Sequence, residues 1–319
     1  MTYLQCLHRQ WQQPSKWVIR LVLLVGLLAY ASGAIFVRLA IAYDGAEGLG
    51  FSLFLAASRM AITALCFGFA WRGFARAKYA TEDLCNSILA GGCLALYFAT
   101  WMTSLSFTSI AASTTLVNLN PLWVMLLAWL WLHYRPKTIT LGGVSVAIAG
   151  VVIISSGANA VAGDATNMGN LLALIGSFAI AAYIFLGHVA QKTRIRFNHH
   201  IVLTYSSAAL ILLPLPLLLK THYWGHSWQT YGCITLMALC TQILGHTCLN
   251  WSMKWVNPTL LSILLLTEPI VASGLGYFVF RESPALSVIF GGSVLMLGVA
   301  IALLCQGASL PKQAQEVAP

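Results

Sequence analysis

Glu268 stands near the middle of an apolar run over about 257–280, and none of the other seven acidic residues lies so deep inside such a run. In hydrocarbon an ionised carboxylate is costly, so Glu268 must face the interior of a helix bundle, hold a proton or meet a cation. Arg59, near the middle of the run 51–71, is the cation at similar depth. The two can form a structural clamp, or Arg59 can hold a substrate carboxylate. Pro269 follows Glu268, and Pro121 follows Asn120 in another apolar run. Each proline lacks an N–H and frees a carbonyl one turn back, near Leu265 and near Val117. Kinked, partly unsatisfied backbone at mid-depth suits a substrate site as well as a plain bend.

Gln242, His246 and Asn250 recur every four residues, which on a helix makes one polar stripe. Such a stripe faces protein or water. It serves hydrogen bonds between helices, or a path for substrate or protons towards Glu268, with His246 able to change charge near neutral pH. Tyr97 and Trp101 are one turn apart, as are Thr114 and Asn118. With Asn120, Ser32, Phe36 and Tyr183 they form a mixed aromatic and polar set suited to an amphipathic organic solute, although each aromatic alone is more often packing. The remaining histidines fall at run ends or in loops and are expected to be solvated. Arg38 can snorkel to the outer surface, with Asp44 or Glu47 as partner. No P-loop, H-E-x-x-H or G-x-S-x-G motif occurs, so ATP-driven pumping and hydrolysis lack their parts. The eight cysteines form no C-x-x-C pair and fall mostly in apolar runs, which argues against a metal site or a disulfide framework. No cofactor is expected.

These groups need helices in a bilayer to position them. Hydrophobic residues make up 59% of the 319 and charged residues only 8%, whereas a soluble domain carries about 25% charged residues. That excludes a soluble enzyme, a disordered chain and a nucleic-acid binder despite the net charge of +9. Apolar runs at about 17–42, 51–71, 86–106, 109–132, 138–156, 169–190, 200–220, 229–251, 257–280 and 285–306 predict an all-α membrane protein of ten transmembrane helices. The first run follows Lys16 and Arg20 and contains Ala29-Tyr30-Ala31, in the manner of a signal peptide, but it continues to Ala42 and is long enough to span.

With the N-terminus in the cytoplasm, thirteen of the 17 Lys and Arg residues fall on the inner side and only Lys220 and Arg281 outside, Arg38 and Arg59 being within runs. This bias predicts cytoplasmic segments at 1–16 and 307–319, in a plasma membrane or bacterial inner membrane. The charges are spread over all inner loops, so they mark topology rather than an anionic-ligand patch.

The chain also repeats. Pro121, Pro136 and Gly150 match Pro269, Pro284 and Gly298 at a constant offset of 148. Asn120-Pro121 thereby matches Glu268-Pro269, and Gly142-Gly143 matches Gly291-Gly292 with a slip of one. Two five-helix units, 17–156 and 169–306, follow. Five is odd, so the second unit enters the membrane from the opposite side, an inverted repeat of the transporter kind with its site between the copies.

The stretch Phe107-Thr108-Ser109-Ile110-Ala111-Ala112-Ser113, running on to Asn120-Pro121-Leu122, resembles the helix 3–4 signature of the EamA family of the drug/metabolite transporter superfamily. Thr267-Glu268-Pro269, followed by Phe280-Arg281-Glu282, resembles its second-repeat signature, and Arg59 within Ala56-Ala57-Ser58-Arg59 its helix 2 arginine. The resemblance covers about 17–306. It implies a ten-helix secondary transporter with both termini cytoplasmic, exporting amino acids or other small metabolites, with or without protons. Many relatives carry Glu after helix 4 where this chain has His133-Tyr134-Arg135, and only the second copy keeps it, as Glu282. The rival reading is a lipid flippase or scramblase, which needs a polar groove open sideways to lipid.

Overall fold

The computed structural model describes residues 15–74, 77, 79–132, 138–161, 163–191, 195–246, 248, 265 and 268–307. Asn250, Thr267 and residues 133–137 lie outside them. Among the described residues all regular structure is helical.

Helix α1 (Lys16–Ala31) continues into α2 (Gly33–Asp44) through Ser32, whose hydroxyl donates to the Ala29 carbonyl at 2.7 Å. Gly45 ends α2 in the left-handed conformation at φ 67°, which favours a residue without a Cβ. Helix α3 (Leu49–Cys66) carries Arg59, and α4 (Thr81–Ser104) carries Tyr97 and Trp101. The next apolar run is split into α5 (Ile110–Val117) and α6 (Asn120–Leu132). Pro121 causes the break, and Asn120 Nδ2 donates to the freed Val117 carbonyl at 3.2 Å. Helices α7 (Thr138–Val161), α8 (Gly163–Gln191), α9 (Phe197–Leu212), α10 (Pro214–Leu218) and α11 (Trp228–Leu236) follow. From Met237 to His246 the chain continues as a π-helix, a form that often marks functional positions. Helices α12 (Glu268–Phe280) and α13 (Leu286–Gly307) complete the described elements.

Six of the described helices are long and apolar enough to cross a membrane: Trp17–Asp44, Leu49–Cys66, Thr81–Ser104, Ile110–Trp131, Ala165–Gly187 and Asn198–Leu218. Shorter apolar helices cover Thr138–Ile154, Glu268–Phe280 and Leu286–Ala302. Leucine, isoleucine and phenylalanine stay exposed along many of them, as at Leu24, Leu130, Ile148 and Phe290. In water such a surface would aggregate; in lipid it is the expected exterior. Trp17, Trp131, Trp224 and Trp228 are exposed near helix ends, where interfacial tryptophans belong.

Packing recurs at the repeat offset. Helix α4 lies along α8, as α1 and α2 lie along the π-helix and α11. Helix α5 lies along α12, α3 along α9, and α7 along α13. The α7–α13 contact depends on missing side chains. A Cβ on Gly143 would sit 2.7 Å from the Ala302 N and the Gly298 O, and one on Gly298 would sit 2.3 Å from the Ala147 N. Gly150 meets Leu295, and Gly291 meets Ile154, in the same way. Adding 148 to Gly143 and subtracting it from Ala302 gives Gly291 and Ile154, so one contact repeats the other with the helices exchanged.

Candidate functional site

Helices α1, α2, α3, α4, α12 and the π-helix converge on one cavity. Arg59 and Glu268 line it, with Tyr97, Phe98 and Trp101 from α4, Thr241 and His246 from the π-helix, Tyr30 from α1 and Gly33 from α2. Its volume open to the centre of a water is about 10 Å³, room for about one water molecule.

Arg59 is 2% exposed and Glu268 7%, yet they form no ion pair with each other within 4.0 Å. The sequence offered Glu268 as the partner of Arg59; the fold supplies others. Arg59 Nη2 donates to Gln242 Oε1 at 2.7 Å, and its Cζ lies 4.3 Å from the Phe98 ring centre, a cation–π contact. Arg59 Nε and Nη1 have no hydrogen-bond partner among the described residues, and neither has Gln242 Nε2. Glu268 Oε2 instead accepts from Asn118 Nδ2 at 2.9 Å, while the same nitrogen donates to the Thr114 carbonyl at 2.9 Å. A buried cation and a buried carboxylate thus share one cavity, each held by a neutral amide.

The rest of the expected set divides. Tyr97 and Trp101 stack at 5.7 Å with an interplanar angle of 13° on the cavity wall. His246 meets Tyr30 edge-on at 5.1 Å. Thr114 turns its hydroxyl back to the Ile110 carbonyl at 2.7 Å and contributes its own carbonyl to Asn118. Asn120 is occupied by the Val117 carbonyl and does not line the cavity. Ser32, Phe36 and Tyr183 do not line it either. Asn250 lies outside the described residues, so only Gln242 and His246 of the stripe can be placed.

Two expectations are corrected. Arg38 pairs with neither Asp44 nor Glu47; its Nη1 lies 3.7 Å from Glu282 Oε2, and it donates a short hydrogen bond to the Thr108 carbonyl. Asp44 is taken by His226 Nδ1 at 2.8 Å, and that imidazole stacks on Phe54 at 4.2 Å. His199 and His200 are each 3% exposed rather than solvated, bonded to Tyr79 at 2.5 Å and Ser87 at 2.9 Å. Tyr30, Gly33, Phe98 and Thr241 belong to the cavity and were not anticipated. Tyr30 had a usable signal, since it sits at the midpoint of the run 17–42. Among the described residues no group of three or more metal-ligating side chains occurs.

The EamA-like transporter family matches residues 16–156 and again 167–304, nearly the whole chain in two repeats. The chain belongs to the EamA-like transporter family. An uncharacterized transporter of Archaeoglobus fulgidus is 22% identical to this EamA-like protein over 283 residues, covering 88% of this chain and 95% of its own. A second uncharacterized transporter of that archaeon is 23% identical over 197 residues, 61% of this chain and 68% of its own. A crystal structure 16% identical in sequence superposes with a TM-score of 0.57, covering 93% of this chain and all of that one, and so shares the fold. The protein is a multi-pass membrane transporter, with the lipid bilayer and a small-molecule substrate as its partners.

Proposed function

We propose that this EamA-like protein is a secondary transporter of ten transmembrane helices in two inverted five-helix repeats. It moves a small metabolite bearing both a carboxylate and an amine, an amino acid or a related compound, out of the cell by alternating access, with a proton as coupling ion. The observation that carries this reading is the unpaired placement of Arg59 and Glu268 on one cavity wall. An isolated buried cation costs several kcal/mol unless something completes its bonding. A solute carboxylate completes Arg59 at Nε and Nη1, the two atoms without partners among the described residues. The solute ammonium goes to Glu268, and Tyr30, Tyr97 and Trp101 surround the apolar part.

The exchanged glycine contacts of α7 and α13, the recurring helix pairings and the Lys and Arg asymmetry support inverted copies with both termini in the cytoplasm. On that topology the α4–α5 and α12–α13 corners face out. The small central volume suits an occluded state, which must widen on one side at a time. A metabolite screen on proteoliposomes, run with and without an imposed pH gradient, tests the reading. The expected result is gradient-stimulated flux of a zwitterionic solute. Flux of lipid probes between leaflets, with no soluble solute moved, would overturn it.

A further inference from the structure

A second cavity, much larger than the first, opens at the corner between α4 and α5. Its volume is about 380 Å³, within the range that holds a small organic ligand. Ser106, Thr166 and Ser287 contribute hydroxyls to its wall, and Ile154 and Val288 an apolar side. Two nitrogens at this wall lack what they need. Asn170 is 2% exposed; its Oδ1 accepts from the Thr108 hydroxyl at 2.9 Å, while its Nδ2 has no partner among the described residues. Arg38 Nε is likewise buried and unpartnered.

The anion already near Arg38 is poorly placed. Glu282 Oε2 lies 3.7 Å from Arg38 Nη1, beyond the 2.7–2.9 Å of a charge-assisted hydrogen bond. Its other oxygen accepts from the Ile110 N–H at 2.9 Å, at the first turn of α5. Glu282 is thus divided between a backbone amide and a distant guanidinium. Arg38 and Asn170 both line the cavity, so a carboxylate entering it can take up their unpartnered nitrogens as the two side chains turn towards it, which Glu282 does not do. We propose that this cavity is a second binding site, for the carboxylate of a small amphipathic solute, which competes with Glu282 for Arg38. Resting on the transport reading above, the inference gives the solute a station at the mouth of its path. Arrival there loosens the Arg38–Glu282 contact that ties the α12–α13 corner to α2.

The test is a binding measurement that needs no transport. The full-length protein in phosphatidylcholine nanodiscs is titrated with 4-fluorobenzoate or with its uncharged analogue 4-fluorobenzamide, and the fluorine line width is followed by NMR against empty nanodiscs. The expected result is saturable broadening of the benzoate and none of the amide. Asn170→Ala should weaken the benzoate by roughly tenfold, as for loss of one bond to a charged group. Glu282→Gln should tighten it by roughly tenfold, because the competing charge is gone; a misfolded variant cannot give such a gain. Arg59→Gln should keep the component of the broadening that Asn170→Ala weakens. Equal broadening by the amide, or no protein-dependent broadening, overturns the proposal. So does loss of binding in Arg59→Gln alone, which would put the carboxylate in the central cavity and leave the transport reading standing.

Discussion

Helices α5 and α12 lie along one another, and a glutamate of the α12 chain grips α5 at each end. Glu268 opens α12 and holds Asn118 at the foot of α5; Glu282 follows α12 and holds the Ile110 N–H at its head. The surroundings differ. At the foot the carboxylate is 7% exposed and its nearest bond is to a neutral amide, with the cation Arg59 elsewhere on the same small cavity. At the head the glutamate side chain is 24% exposed, has Arg38 beside it, and precedes Ser283, which lines a cavity of about 380 Å³. One carboxylate has no cation within ion-pair distance among the described residues; the other lies 3.7 Å from an arginine. The same seam therefore has a chemical end and a latching end, and loosening either should loosen its hold on α5.

Removing the central cation should have the largest effect. Arg59→Gln is expected to lower flux of the screened solute by about 100-fold, a loss of roughly 2.7 kcal/mol in transition-state stabilisation. Arg59→Lys should not rescue it, since a point charge cannot replace the planar fork. Flux assays at matched reconstitution check this, and near-normal flux in either variant would move the solute away from the central end. Asn118→Ala comes next. It strips the donor from a buried carboxylate and should cost about 1–3 kcal/mol of stability, read as a lower melting temperature in detergent. Glu282→Gln should cost less than about 1 kcal/mol, because Gln still accepts from Ile110 and the lost ion contact is partly exposed. A larger loss there than in Asn118→Ala would reverse the assignment of the two ends.

Much of the scaffold was legible because hydropathy is a local signal. The run 109–132 corresponds to α5 and α6, and 285–306 to α13, with ends within a residue or two. The break at Asn118–Leu119 could be read from Pro121, since a missing N–H acts on the residue one turn back. Partner choice was much less legible. Arg38 was given Asp44 and Glu47, its neighbours in sequence, whereas Glu282 reaches it from the far end of the chain only after the helices pack. Depth alone pointed Arg59 to Glu268; the π-helix brings Gln242 to it instead, 183 residues away. His199 and His200 sit at a helix start, where water is the default neighbour, and α9 packing against α4 buries them.

The central claim is that Glu268 exchanges a proton during transport. Coupling requires the proton to distinguish the two access states, and Glu268 offers the means if its bond to Asn118 holds in one and breaks in the other. Gln is nearly isosteric with Glu and can keep a hydrogen bond to Asn118, so Glu268→Gln should fold as the wild type does. The decisive measurement is solute accumulation in proteoliposomes against an imposed proton gradient, for wild type and Glu268→Gln at equal protein content. The account predicts that the variant loses its response to the gradient, while solute exchange at zero gradient survives in weakened form because the ammonium has lost its charged partner. Full gradient-driven accumulation by Glu268→Gln would contradict it and leave Glu268 as a structural anchor for α5.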